Sequence, residues 1–132
     1  MSIEIYNPAV LDKPLGQYSH VSRVKTSEYF FISGQLANDR EGRIVGTGNF
    51  EAQVRTLFSL MDKTLKRAGG SLANLVTMTV FITDPRFGDK FVEMRAGFFP
   101  DGNFPASALI TIAHLARPGM LIEIQGVAVI GG

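Results

Sequence analysis

The chain has 132 residues, of which 45% are hydrophobic and 19% charged, so it fits one globular domain over residues 1–132 and is too apolar to be disordered. A net charge of +1 without any run of Lys or Arg argues against a nucleic-acid-binding protein. No apolar stretch approaches the roughly 20 residues of a membrane span. The N-terminus has no signal-peptide pattern and cysteine is absent, which fits a cytoplasmic protein without membrane contact.

The N-terminal third of the chain predicts strands and loops. An irregular entry around Asn7 and Pro14 leads to a loosely alternating segment at residues 19–24 and an aromatic-rich run at 28–33. Both segments are typical of strands. The Gly, Asn and Asp residues between positions 34 and 48 predict a loop that contains a small hairpin.

The clearest predicted element is a helix that begins after Asn49, a residue type suited to capping a helix N-terminus. Its apolar positions recur at helical spacing. They are Val54, Leu57, Phe58, Met61, Leu65 and Ala68. Gly69 and Gly70 end the helix, because glycine readily adopts the conformation in which helices terminate.

The second half of the chain predicts three strands and one helix. Residues 76–83 alternate between apolar side chains and Thr, a strand pattern that an Asp-Pro pair ends. A second amphipathic helix ends before Pro100, and its apolar positions are Phe87, Phe91, Met94 and Phe98. Apolar strands at 106–113 and 120–130 follow.

The predicted order β-β-α-β-α-β-β indicates an α+β fold. Connections of helix length between strands imply some parallel pairing and a mixed sheet with both helices packed on one face. The closing strands are apolar on both sides, so we expect another subunit to bury the second face of the sheet.

Glu123 is the most informative single residue. It lies in an apolar strand in which only Gln125 is another polar residue on the same face. A carboxylate in such a strand must be hydrogen-bonded or paired, or burial drives it toward the neutral form. Glu123 is therefore the candidate catalytic residue, as an acid or as a base that positions water. The alternative is a structural glutamate bonded to backbone or to a neighbouring subunit.

Other candidates for a binding role occur in loops and at strand ends. Tyr18 follows a turn and could offer its hydroxyl to a ligand, or could simply pack. Ser33, Gly34 and Gln35 lie where a strand meets a long loop, and Gly34 would allow close approach to the backbone. Ser107 has no base beside it in sequence, so it is a weak nucleophile.

The nearest basic residues and the histidines give weaker signals. Arg95 and Arg117 fit solvated or interface arginines better than anion-binding ones. His20 and His114 are far apart in sequence and lack neighbouring carboxylates, so no metal site is expected. The chain carries no phosphate-binding glycine loop, nucleophile elbow or zinc-binding helix motif, and no cofactor is expected.

The order and spacing of several segments resemble the RidA/YjgF family, also called the endoribonuclease L-PSP family, over nearly the whole chain. The matching segments are residues 16–19, 31–35, 53, 68–69, 76–84, 98–99, 105–106 and 122–124. The resemblance implies a chorismate-mutase-like fold: a curved mixed sheet with two helices on one face. It also implies a homotrimer whose sheets join in a barrel-like core, with small-molecule sites in the clefts between subunits.

The activity implied by the resemblance is hydrolysis of reactive enamines and imines, such as 2-aminoacrylate, to a keto acid and ammonia. In the family a tyrosine lines the pocket, a glutamate in the last strand orients water, and an arginine after Pro-Ala binds the substrate carboxylate. Tyr18 matches the tyrosine and Glu123 the glutamate. Ser107 occupies the arginine's position, and the second helix has Met94-Arg95-Ala96 where the deaminating branch has Asn and Tyr.

The leading hypothesis is therefore a hydrolase or deaminase for a small enamine or imine, and not an efficient 2-aminoacrylate deaminase. Glu123 would position water, Tyr18, Ser33, Gly34, Gln35 and Ser107 would shape the pocket, and Arg117 could restore anion binding. The alternative is a trimeric protein that binds or senses a small metabolite without turning it over. A ribonuclease or translation inhibitor is disfavoured by the charge of +1 and the lack of a basic run.

Overall fold

The structure, a computed structural model, describes residues 3–9, 18–19, 21–24 and 28–131. Along these residues the elements are β1 (Ile3–Tyr6), β2 (Val21–Val24), β3 (Glu28–Gln35), α1 (Phe50–Arg67), β4 (Leu75–Ile82), α2 (Gly88–Phe98), β5 (Ala106–Thr111) and β6 (Ile122–Ile130). Short 3₁₀ turns at Leu72–Asn74 and Pro85–Phe87 precede β4 and α2.

Four strands form one mixed sheet in the order β3-β6-β4-β5. β5 runs parallel to β4, while β6 lies between β3 and β4 and is antiparallel to both. Two parallel neighbours cannot be joined by a tight turn, and here α2 lies in the connection between β4 and β5. The predicted mixed sheet with partial parallel pairing is therefore confirmed.

The N-terminal segment differs from its prediction. β1 is a regular strand that pairs with β2 in a separate two-stranded sheet, where the sequence predicted an irregular entry around Asn7. Four residues are too few to display a period, and their partner strand lies far along the chain. The predicted strand at 19–24 is shorter, with Ser19 forming an isolated parallel bridge to Ala106. Pro14 lies outside the described residues.

Helix α1 begins and ends where its sequence predicts. The Asn49 side chain accepts a hydrogen bond from the Ala52 amide at 3.0 Å, which satisfies one of the free N–H groups of the first turn. Gly69 follows the helix with a φ of +95°, a conformation that is costly for any other residue. The predicted hairpin in the loop between β3 and α1 is present as a bridge between Asn38 and Ile44.

Both helices pack against the same face of the sheet. Phe58 of α1 is completely buried and its ring lies 6.1 Å from that of Phe91 of α2. The sheet contributes every second side chain to this core, as strand geometry requires. These sheet residues are Phe30, Ile32, Met78, Val80, Ile82, Ile122, Ile124, Ala128 and Ile130.

The opposite surface of the sheet, here called the outer face, is partly exposed, although Val129 at one end of it is completely buried. It consists of alternate side chains of the same four strands: Tyr29, Phe31, Ser33, Thr77, Thr79, Phe81, Ala106, Ala108, Ile110, Glu123, Gln125 and Val127. The side chain of Phe31 is 80% exposed and that of Tyr29 is 53% exposed. The outer face therefore mixes large apolar side chains with hydroxyl, amide and carboxylate groups.

Gln53 joins α1 to two loops on one edge of the molecule. Its side chain is 1% exposed, and its amide nitrogen donates to the Gly119 carbonyl at 2.7 Å and to the Gly46 carbonyl at 3.3 Å. Its amide oxygen accepts a hydrogen bond from the Leu121 backbone N–H at 2.9 Å. This side chain thus fixes the loop before β6 and the position at which β6 begins.

Replacing Gln53 with leucine should lower the free energy of unfolding by about 2–3 kcal/mol, because partly buried backbone groups of Gly119 and Leu121 would lose their partners. Urea denaturation measures this change. Ser59→Leu, an exposed substitution on the same helix, should stay within about 0.5 kcal/mol of the wild type. Equal stabilities for Gln53→Leu and Ser59→Leu would contradict this role for Gln53.

Candidate functional site

Glu123 lies on the outer face because its neighbours Ile122 and Ile124 are completely buried on the other side of β6. It is directly opposite Phe81 of β4. Its carboxylate lies over Gly34 of β3: a Cβ atom at position 34 would sit 2.5 Å from Glu123 Oε2. A side chain at position 34 would displace this carboxylate from its present position, so the two predicted residues are spatial neighbours.

Ser33 and Gln35 flank this contact. The pairing between β3 and β6 is irregular between Ile32 and Gln35, which is where the strand accommodates Gly34. The Gln35 amide donates to the Ser33 carbonyl at 3.0 Å. Ser33 itself is exposed and borders an open depression of about 380 Å³ on the outer face, together with Phe31.

Arg117 lies on the loop between β5 and β6 and donates a hydrogen bond to the Gly42 carbonyl at 2.5 Å. It borders a second depression, of about 370 Å³, with Thr83 and His114. The loop that carries Gly42 is ordered by Asp39, whose carboxylate accepts hydrogen bonds from the backbone and side chain of Arg43. These bonds hold the pKa of Asp39 below its usual value. Arg117 therefore connects two loops.

Ser107 and Tyr18 belong to a different region. Ser107 pairs with Met78, whose side chain is buried in the core, so Ser107 faces the helices rather than the outer face. Tyr18 precedes Ser19, which forms the parallel bridge to Ala106, so its backbone lies beside the start of β5. The other residues of the family's tyrosine-containing segment, at 16 and 17, lie outside the described residues, as does His20.

Arg95 is the functional candidate that the sequence misassigned. It was expected at the surface or in an interface, but it is only 2% exposed and lies inside the region around Ser107. Its Nη1 donates to Ser107 Oγ at 2.9 Å, and its guanidinium carbon lies 5.0 Å from the centre of the Phe91 ring. Nε has no hydrogen-bond partner among the described residues.

Burial lowers the pKa of Arg95 to about 10. The guanidinium therefore stays protonated at neutral pH, and holding the charge inside the fold costs roughly 3 kcal/mol. Because the pKa in the folded chain lies below that of the unfolded chain, this cost is complete below pH about 10 and falls as the pH rises above it. A sequence signal was present, since Arg95 follows Phe91 by four residues and shares its buried helix face.

Apart from Arg117, the predicted site residues thus form two groups, one around Glu123 on the outer face and one around Ser107 of β5. Ser107 pairs with Met78 of β4, which in turn pairs with Gly126 of β6. Glu123 lies three residues from Gly126, and β6 is two strands away from β5. Strand geometry gives a separation of roughly 14 Å between the two Cα atoms. A small molecule bound to one chain cannot contact both side chains.

The described residues contain no group of three His, Cys, Asp or Glu side chains that could hold a metal ion. His114 is exposed on the loop that carries Arg117. In the same part of the chain, neither helix has the length and apolar character that crossing a membrane requires.

Comparison with known proteins identifies relatives over almost the whole chain. The family model described as Endoribonuclease L-PSP matches residues 10–130. A RutC family protein of Synechocystis sp. is 28% identical over 131 residues, covering 98% of each chain. A RutC family protein of Pyrococcus horikoshii is 29% identical over 116 residues, covering 88% of this chain and 89% of its own.

Solved structures with the same fold include two Rid proteins. RidA from an Antarctic Psychrobacter species is 29% identical, with a TM-score of 0.71 and coverage of 89% of this chain and 92% of its own. YyfB of Yersinia pestis, a Rid family protein of unknown function, superposes with a TM-score of 0.90 at 23% identity, covering 98% of this chain and 100% of its own. The family model covers almost the whole chain, and the related structures share the architecture described above. The chain therefore belongs to the endoribonuclease L-PSP, or RidA/YjgF, family.

Proposed function

We propose that the protein is a homotrimeric hydrolase of small enamines or imines, with its site in the cleft between subunits. The observation that carries this proposal is the placement of Glu123. The carboxylate of Glu123 lies on the outer face and contacts Gly34. It takes part in none of the salt bridges of the described residues. Such a group is free to accept a proton from water.

The separation of the two groups of site residues supports a site between subunits. Glu123 lies on the outer face and Ser107 on the helix face of the same sheet. One ligand can reach both side chains only if they come from different chains. An outer face with exposed Phe31, Tyr29 and Ile110 also favours association, because such patches on soluble proteins usually mark interfaces.

The proposed reaction needs one activated water and two proton transfers to nitrogen. Water adds its oxygen to the carbon of the C=N bond while Glu123 accepts a proton from it. The nitrogen takes up two protons, one passed on by Glu123 and one released by the new hydroxyl group. The C–N bond then breaks, and ammonia leaves as the carbonyl group forms. The overall change is imine plus water to ketone and ammonia, with no redox step.

Glu123→Gln should reduce ammonia release by about 10²–10⁴-fold, because the amide keeps the shape of the side chain but cannot take a proton. The measurement uses 2-aminoacrylate generated by a coupled enzyme, together with bulkier imines. Glu93→Gln makes the same chemical change at an exposed carboxylate of α2 and should leave the rate unchanged. A rate in Glu123→Gln equal to that of the wild type would contradict the assignment.

A binding protein without catalytic activity is the second candidate, and Ser107 is the observation that favours it. A serine hydroxyl binds a carboxylate less strongly than a bidentate guanidinium does. Saturable binding of a keto acid without ammonia release from any imine tested would support this alternative over the hydrolase.

The oligomer itself is testable through the outer face. Phe31→Asp places a charge within the proposed interface and should convert the trimer to smaller species, because an unpaired carboxylate is costly to bury. Light scattering should give three times the 14.4 kDa chain mass for the wild type. Lys63→Asp, at an exposed position of α1, should remain trimeric. A monomeric wild type would refute the shared cleft.

A further inference from the structure

The guanidinium of Arg95 is a buried charge without a counter-charge in the described residues. The effect of burial accounts for its lowered pKa, with no carboxylate contributing. Arginines this deeply buried are normally paired, because an unpaired charge in a poorly solvated environment is costly. The remaining contacts are the Phe91 ring and the Ser107 hydroxyl, neither of which carries a negative charge.

The contact with Ser107 has a definite direction. A guanidinium has only donors, so Ser107 Oγ must accept the hydrogen bond from Arg95. The hydroxyl proton of Ser107 is therefore left to donate to another group. A hydroxyl whose oxygen accepts from a cation is a stronger donor, since hydrogen bonds in a chain polarise one another. Ser107 is half-buried on the outermost strand of the sheet.

We propose that Ser107 and Arg95 together bind the carboxylate of a small-molecule ligand. Ser107 donates its hydroxyl proton to the carboxylate, and Arg95 is a positioning residue that orients this hydroxyl and supplies positive charge behind it. The inference deepens the proposed function, because it gives the substrate of the same cleft a negative charge. The positive charge comes from Arg95 of α2, since β5 itself has no basic side chain.

A small anion is favoured over a carboxylate from another subunit by the depth of Arg95. The guanidinium is only 2% exposed, whereas Ser107, which accepts its hydrogen bond, is half-buried, so Ser107 is the more accessible of the two residues. A small carboxylate can accept from one hydroxyl and remain within range of a charge in a medium of low dielectric constant. Arg117 cannot take this role while it is bonded to Gly42.

The stability of variants distinguishes this function from a structural one. A side chain retained for structure should destabilise the fold when it is replaced. Replacing an unpaired buried charge by an apolar side chain of similar length often stabilises the fold instead. Arg95→Met should therefore raise the melting temperature while it weakens anion binding.

The experiment measures pyruvate and methyl pyruvate binding by calorimetry, using the full-length chain. Arg95→Met and Ser107→Ala should each weaken pyruvate binding by about 10- to 100-fold, the value of a charge-assisted hydrogen bond. Methyl pyruvate, which lacks the charge, should bind equally to all forms. Arg95→Lys should recover part of the affinity. Arg86→Met, which removes an exposed arginine paired with Asp84, should bind pyruvate as the wild type does.

Unchanged pyruvate affinity in Arg95→Met would overturn the proposal, as would a wild type that binds both compounds equally. A smaller assembly in Arg95→Met with unchanged affinity would assign Arg95 to a subunit contact and would also overturn it. The test of hydrolase activity is independent of this one, since Glu123→Gln should lose activity and still bind pyruvate. A wild type that binds pyruvate through Arg95 but releases no ammonia would retain this inference and refute only the enzymatic activity.

Discussion

Two helices are enough to cover one face of a four-stranded sheet, and this limit determines the rest of the structure. α1 and α2 fill one face with a continuous apolar core that contains Phe58 and Phe91. The alternation of side chains along each strand then places every second residue on a face that the described chain leaves largely open. Glu123 and Phe31 lie on that face. The same geometry that builds the core therefore presents a carboxylate and large apolar groups to a partner.

The central position of β6 explains why a carboxylate can be held rigidly on such a surface. Neighbours on both sides fix its backbone, and Ile122 and Ile124 anchor it in the core. Gln53 fixes the start of the strand because its side chain accepts a hydrogen bond from the Leu121 N–H. Gly34 leaves space for the Glu123 carboxylate. A group positioned by strands is located more accurately than one on a loop. Arg117, by contrast, depends on a loop-to-loop contact.

Features encoded by neighbouring residues were predictable from the sequence, and features encoded by distant ones were not. Asn49 marks the start of α1 because a cap acts within one turn, and the alternation in β4 shows which side is buried. β1 was missed because its pairing with β2 is a long-range contact. The predicted site residues were individually reasonable, yet local sequence could not reveal that Glu123 and Ser107 face opposite sides of the sheet.

Arg95 provides a positive charge near position 107 that the sequence alone did not reveal. The resemblance matches Ser107 to the arginine of the family, and it therefore predicts that the chain lacks a cation at this place. The fold supplies one from another element, since Arg95 of α2 reaches Ser107 Oγ. The two arrangements differ in chemistry, because a guanidinium behind a hydroxyl offers a single donor to the ligand in place of a bidentate one. A site of this kind should tolerate carboxylates of varied orientation and bind each of them less tightly, which fits a broader and weaker specificity than a direct arginine contact would give.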